Sequence, residues 1–476
     1  MKSFVLLLFC LLSATGCFKT KTVVAEGLPE PPSAQPEGNI PPIADPGDGI
    51  LQNDEVEAAA LDNALKLLQA DVRNTVWLSA ADDFNEGRGG LDALKAGEMG
   101  INLLSNRVQL ARLKAIDKGE SIFAFDLRDA FGNRSNEIWR LIEDQAVVQL
   151  VSQTVRFKNL QFLTQKRIPL MHMKVFLETA FKAQVYYAIK QVPLNEFEFW
   201  AGQGVNEQQI FDDRDKDIFL AGFEESQIAP GHNRFVRRVM GNNGPCYKTF
   251  DVDSLFIVPQ SNFFKFPFPK EARSQQTFVF NAGEILCIQP NGHYLMALYN
   301  AQGIRQDAAP TTVVVNTRTT PLGLDPSITI RDCEGCHTSF VLPYQDEIGR
   351  SIETQPFGAQ DKLLGQLFFK PAGDLENVLT QDNGEHANVL SLLGIQAGGA
   401  PPMNSMIDRL RDGVDAKELA SLLYLSEAEF LRRLSGSLEA QQDFGNLLNG
   451  GTVGFFTVQA GFQGLIEDLN LFRDIN

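Results

Sequence analysis

The chain has 476 residues and a formal charge of −17, with 42 basic residues against 59 acidic ones and no Lys/Arg block to offset them. That balance argues against nucleic acid and anionic membrane surfaces as electrostatic partners. The length exceeds one ordinary domain and suggests roughly two to four units.

The N-terminus reads "MKSFVLLLFCLLSATGC". Lys2 is a short positive region, the apolar run behind it is too short for a permanent span, and small residues precede Cys17, so residues 1–16 read as a signal peptide. Small residues directly before a cysteine resemble the lipobox of bacterial lipoproteins, in which that cysteine (here Cys17) is diacylated and becomes the new N-terminus. Ordinary secretory cleavage is the bland alternative. Phe18, rather than Asp, follows the cysteine, which points to outer-membrane anchoring. Residues 17–53 carry seven prolines between positions 29 and 46. Proline fixes φ and removes backbone donors, so this stretch reads as an extended tether.

Residues 54–192 form the first folded region, mainly helical by periodicity. "EVEAAALDNALKLLQADV", "GLDALKAGEMGINLLSNRV" and "NEIWRLIEDQAVVQLV" repeat apolar positions at three- and four-residue spacing, with "SIFAFDLRD" as a short strand among them. "MHMKVFLETAFKAQVYYAIKQV", residues 171–192, closes the region as helix. Residues 193–330 are richer in Phe, Asn, Gly and Pro. There "GEILCIQPNGHYLMALYNAQG" places two apolar runs around "PNG", where Asn291 and Gly292 suit a tight turn. A small antiparallel sheet is expected. From 331 to 476 helical periodicity returns, and "VDAKELASLLYLSEAEFLRRLSGSL" holds two short helices opened by Asp415 with Glu418 and Ser426 with Glu429. Their spacing also suits a DNA-reading helix pair, which the acidic balance and the secretion signal disfavour. The expected class is therefore α+β, with a helical N-terminal region, a β-rich middle and a helical, cytochrome c-like C-terminal region.

Two cysteines and a histidine in "RDCEGCHTSF" carry the chemistry. C-x-x-C-H is the attachment signature of haem c. Each thiol, on Cys333 and Cys336, adds across one haem vinyl group, and His337 is delivered beneath the iron as proximal ligand. A zinc site would need further ligands at metal spacing, a thioredoxin-like pair would need a βαβ unit, and a disulfide across two residues is strained. The sixth iron position has Met403, in the Pro/Gly loop "GGAPPMNSM", as its first candidate, with His386 and Met406 as the other downstream residues able to ligate. Met171, His172 and Met173 read as a helix face, and His293 as part of the hairpin. Cys246 and Cys287 remain. In an oxidising compartment, two leftover thiols pair more often than they stay free.

The stretches "DVRNTVWLSAADDFN", "IDKGESIFAFDLRD", "GHNRFVRRVMG", "GEILCIQPNGHYLMALYNAQGIRQDAAP" and "CEGCH" follow one another in that order. Together they resemble a family of large, single-haem c-type cytochrome-like bacterial proteins, often secreted or lipidated. The resemblance implies haem c on Cys333, Cys336 and His337, and implies no substrate or reaction. The leading expectation is a lipid-anchored cytochrome of the periplasm or cell surface, passing electrons to a redox protein with a basic docking face. A haem-based enzyme or gas/redox sensor with an open sixth position is the alternative, favoured by a body larger than a cytochrome c domain needs. A third reading makes the first 330 residues a binding module to which the haem region is appended. No triad or second haem motif is present to support an enzyme, which leaves electron transfer ahead.

Overall fold

Thr75–Ser79, "TVWLS", is a run of β-branched and aromatic residues buried at every position, and it forms β1, an interior strand of the first sheet. In this computed structural model the residues described are 53–81, 90–149, 151–212, 217–224, 233–252, 258–309, 329–330, 332–333, 337–411 and 413–471. The signal peptide, Cys17 and most of the tether lie outside them, as does Cys336. Residues Ile50–Asn476 form one unit.

The first sheet has the order β2-β3-β1-β4, with β2 at Lys114–Ala115, β3 at Ile122–Asp126 and β4 at Leu170–His172. β1 runs antiparallel to β3 and parallel to β4. Around it pack α1 (Asn53–Lys66), α2 (Gln69–Val72), α3 (Gly90–Leu104), α4 (Leu127–Phe131), α5 (Ser135–Gln145), α6 (Val155–Thr164), α7 (Met173–Ala180) and α8 (Ala183–Lys190). The helix expected over 171–192 is thus divided in three. Leu170–His172 takes the parallel place beside β1, and Lys182 leaves helical geometry with ψ 132° before α8 begins. The region is α+β in itself rather than simply helical.

After α9 (Glu196–Gly202) comes the middle sheet, a five-stranded antiparallel meander in chain order. Its strands are β5 (Phe219–Phe223), β6 (Arg234–Gly241), β7 (Gly244–Asp251), β8 (Ala282–Ile288) and β9 (Tyr294–Asn300). The β8–β9 turn closes through a Gly292 N–H to Gln289 carbonyl bond of 2.8 Å. Gly292 takes φ +78°, whereas Asn291 keeps a negative φ. Asn291 serves the turn through its side chain instead: Oδ1 accepts from His293 N–H at 3.1 Å, and Nδ2 donates to the Asn102 carbonyl of α3 at 2.8 Å. Two tyrosines of α8 fasten the first region to the sheet, the Tyr186 and Tyr187 oxygens accepting from Met296 N–H and Leu298 N–H.

The C-terminal region is helical: α10 (Ile348–Thr354), α11 (Ala359–Phe368), α12 (Ala372–Leu392), α13 (Pro402–Arg411), α14 (Ala416–Leu422), α15 (Glu427–Gly436), α16 (Leu438–Phe444) and α17 (Phe455–Asp468). Asp415 and Ser426 cap α14 and α15 by accepting from Glu418 N–H and Glu429 N–H. The glutamates turn elsewhere: Glu418 pairs with buried Lys174 of α7, and Glu429 holds Arg432 and Arg433. α13 packs on α3 and α7, so the last region rests directly on the first. Among the described residues no helix is long and apolar enough to cross a membrane.

Candidate functional site

Two described residues of the haem signature, Cys333 and His337, are tied by backbone hydrogen bonds. Cys333 N–H reaches the Thr329 carbonyl at 3.3 Å, and His337 N–H reaches the Cys333 carbonyl at 3.0 Å. That bond holds the two described residues of the motif close together. Both are buried, as is Ile330 beside them.

His337 Nδ1–H donates to the Phe340 carbonyl at 2.6 Å. Phe340 sits at φ +74°, the left-handed region that few non-glycine residues adopt. On the opposite side of the ring, His337 Nε2 stands 3.4 Å from Glu284 Oε1. Glu284 is the one charged residue of β8, "AGEILCI". Burial alone would push its carboxyl up, but His337 and Arg234 outweigh this and hold it at about 2. The His337 imidazole is raised in turn, because the Glu284 charge overcomes the penalty of burial.

A second imidazole pair adjoins this one. His293 and His386 meet edge to face with centroids 5.3 Å apart. Tyr294 touches His386 at 4.9 Å and His337 at 6.5 Å, and it stacks on Phe340 at 5.8 Å. Three of the five histidines therefore gather on one aromatic cluster, drawn from the β8–β9 turn, the Cys333–Phe340 segment and α12. His386 Nδ1–H donates to the Gly292 carbonyl at 3.2 Å. Its Nε2, and both ring nitrogens of His293, are buried without a hydrogen-bond partner. Burial lowers the His386 pKa to about 4 and pushes that of His293 well below the usual histidine range. Both rings are neutral at pH 7.

These residues fit a haem by their donor chemistry. A histidine that ligates through Nε2 anchors its Nδ1–H on a carbonyl, which fixes tautomer and orientation, and His337 is held this way. Cys333 is held close to it, while Cys336 falls outside the described residues. His337 Nε2, which now faces Glu284, is the nitrogen that would hold an iron, and only its neutral form could do so.

The other sequence candidates are placed as follows. Met403 is buried on α13 rather than in a loop, its sulfur packed close to Gly100 of α3, where Leu177 occupies the space a Cβ would need. Met406 is buried on the same helix. His172 ends β4, stacks on Tyr424 at 4.2 Å and donates from Nε2 to the Leu422 carbonyl at 3.2 Å. Cys246 and Cys287 face each other across β7 and β8 and are joined by a disulfide, S–S 2.10 Å. A cavity of about 270 Å³ opens elsewhere, beside Glu196, Glu207, Lys248 and Glu271, whose charges include the buried pairs Lys248–Glu196 and Arg237–Glu207.

Glu284 escaped the sequence reading. A lone carboxylate inside an otherwise apolar strand was its signal, since such a group needs a cationic or hydrogen-bonding partner once buried. No protein-family model, no curated protein and no solved structure matches this chain.

Proposed function

We propose that this chain is a lipid-anchored c-type cytochrome that transfers single electrons through one haem held on Cys333, Cys336 and His337. The observation that carries the reading is a C-x-x-C-H run whose histidine is buried, with Nδ1–H fixed on the Phe340 carbonyl. In this reading the two thiols hold the haem through thioether bonds, and His337 provides the proximal nitrogen. The haem, when bound, supplies a one-electron iron couple whose potential follows its axial ligands and its burial. The chain's own residues do the rest. The Phe340 carbonyl orients the imidazole and raises its basicity, and Tyr294 and Phe340 keep water from the ring. Residues 331–476 are then the cytochrome c-like helical region, and Cys17 bears the lipid that keeps the body at the outer membrane. The acidic charge of −17 favours a basic redox partner and an encounter that weakens as salt rises.

Protein made with haem-c maturation machinery should keep its haem through acid–acetone extraction. Replacing Cys333 and Cys336 together with Ala should release it, and haem that survives in the double variant refutes the attachment. Cys17→Ser should move the protein from the membrane to the soluble fraction, because acyl burial contributes about 0.8 kcal/mol per CH₂. Unchanged partitioning would remove the lipid anchor from the proposal.

A further inference from the structure

We infer that His386, and not Met403, is the residue of this chain that takes the sixth position on the iron. The inference rests on the haem reading above and deepens it. Its basis is the likeness of two imidazoles in one aromatic cluster. His337 and His386 both donate Nδ1–H to a backbone carbonyl, of Phe340 and Gly292, at 2.6 and 3.2 Å. Each therefore carries its lone pair on Nε2 once neutral, and each ring lies against Tyr294. Phe340 completes the link, since its carbonyl holds His337 and its ring approaches His386 at 6.4 Å.

The two Nε2 atoms differ in one respect. That of His337 meets Glu284, while that of His386 is buried with no hydrogen-bond partner among the described residues. Leaving a buried polar atom unpaired carries a desolvation penalty, so its persistence points to a partner outside the described residues. An iron accepting a lone pair is such a partner. A water bridging His386 Nε2 to the unmatched His293 nitrogens is the competing partner, and it would leave the iron spectra blind to His386→Ala. His293 is the weaker candidate because no carbonyl anchors either of its nitrogens.

Met403 has another use. Its sulfur packs beside Gly100 with Leu177, whose Cδ2 takes the space a Cβ there would need, where α13 crosses α3 and approaches α7. That is a packing role, and thioethers serve it well.

The test uses the full-length, haem-loaded protein. Wild type should be low-spin and six-coordinate in both oxidation states, should refuse carbon monoxide, and should lack the near-infrared sulfur–iron charge-transfer band. His386→Ala should become high-spin and bind carbon monoxide, and added imidazole should restore the low-spin spectrum. His386→Met should gain the sulfur–iron band, which gives a second readout if the alanine variant folds poorly. Met403→Ala should leave every spectrum as it was. A sulfur–iron band in wild type that Met403→Ala abolishes would overturn the assignment, as would covalent haem whose spectrum ignores His386→Ala. A wild type that binds carbon monoxide would overturn it as well and would favour an open-site sensor or enzyme. Failure of the haem reading looks different: the pigment then extracts into acid–acetone before any ligand question arises.

Discussion

Helix α12 presents two buried polar residues to the middle sheet one turn apart, and they live under opposite conditions. Asp382 is saturated. It accepts from Arg238 Nε at 2.7 Å and Nη2 at 2.9 Å, and from the Tyr247 hydroxyl. His386, four residues later on the same face, keeps a buried nitrogen with no partner. Around Asp382 the sheet repeats the paired pattern, with Arg234–Asp251, Arg237–Glu207 and Lys248–Glu196 all buried together. Arg237, whose Nε and Nη1 remain unbonded, lays its guanidinium over Trp200 at 5.1 Å. The two regions teach how to separate structure from function among buried polar groups. Where every charge is answered from within the chain, the group specifies the fold. His386 Nε2 has no such answer among the described residues, and the iron proposed above would supply it.

The contrast can be broken first at its paired end. Asp382→Ala leaves Arg238 buried with no counter-charge, and removing one partner of a buried pair costs about 3–5 kcal/mol. Urea denaturation should show a loss of that size, and a loss under about 1 kcal/mol would mean Arg238 finds water or another carboxylate. Next comes the disulfide in the same sheet. Its loop spans a separation of 41 residues, and replacing Cys246 and Cys287 with Ser should cost about 2–4 kcal/mol, read under identical non-reducing conditions. Equal midpoints for the two proteins would refute this.

Asp346 sharpens the comparison, because it is a carboxylate at the sheet edge held by N–H groups alone. Gly222, Ile348 and Gly349 N–H all donate to it, yet burial lifts its pKa to about 6. The folded state thus keeps a proton that the unfolded chain releases near its ordinary 3.8. The unfolded state binds fewer protons between those values, so this group's contribution to stability falls as pH rises from about 4 to about 6 and is flat beyond. The drop is about 3 kcal/mol at most, at 1.36 kcal/mol per pKa unit. Asp346→Asn should flatten the stability profile across that window, and an unchanged slope would assign it to another group.

The smallest effect belongs to the unpaired end. His293 has no bond to lose, so His293→Leu in haem-free protein should change stability by under about 1 kcal/mol, in either direction. A loss of 3 kcal/mol in thermal or urea unfolding would show that the ring is bonded after all.

Much of this molecule is legible in its residues, and the illegible parts share a cause. The α14 and α15 caps, the β8–β9 hairpin and the helix α3 follow from local chemistry: a side chain reaching three residues ahead, a Gly at φ +78°, an apolar stripe. β1 and β4 do not. A five-residue buried run and a three-residue one read equally well as helix, and only pairing with each other across the intervening helices decides. The same holds at the site. Cys333 and His337 announce themselves by spacing. Glu284 and His386 reach their places through sheet and helix packing, and His386 finds its carbonyl 94 residues earlier in the chain. No local pattern encodes a partner at that distance.

The turn at Gln289–His293 therefore governs when the site can exist, as well as where. The hairpin itself closes a short loop and belongs among the fast events of folding, on the microsecond scale. Its Asn291 must then capture α3, nearly two hundred residues upstream (a separation of 189), and its Gly292 must capture α12 downstream. Contacts of such span carry the largest loop-closure cost and form late. His386 consequently joins His337 only when both ends of the chain have docked on this one turn. A chain cut short after α11, or stalled before α12 docks, can carry the C-x-x-C-H run and still lack the His386 imidazole beside His337, so on the proposed haem reading six-coordination would report that both α3 and α12 have docked on this turn.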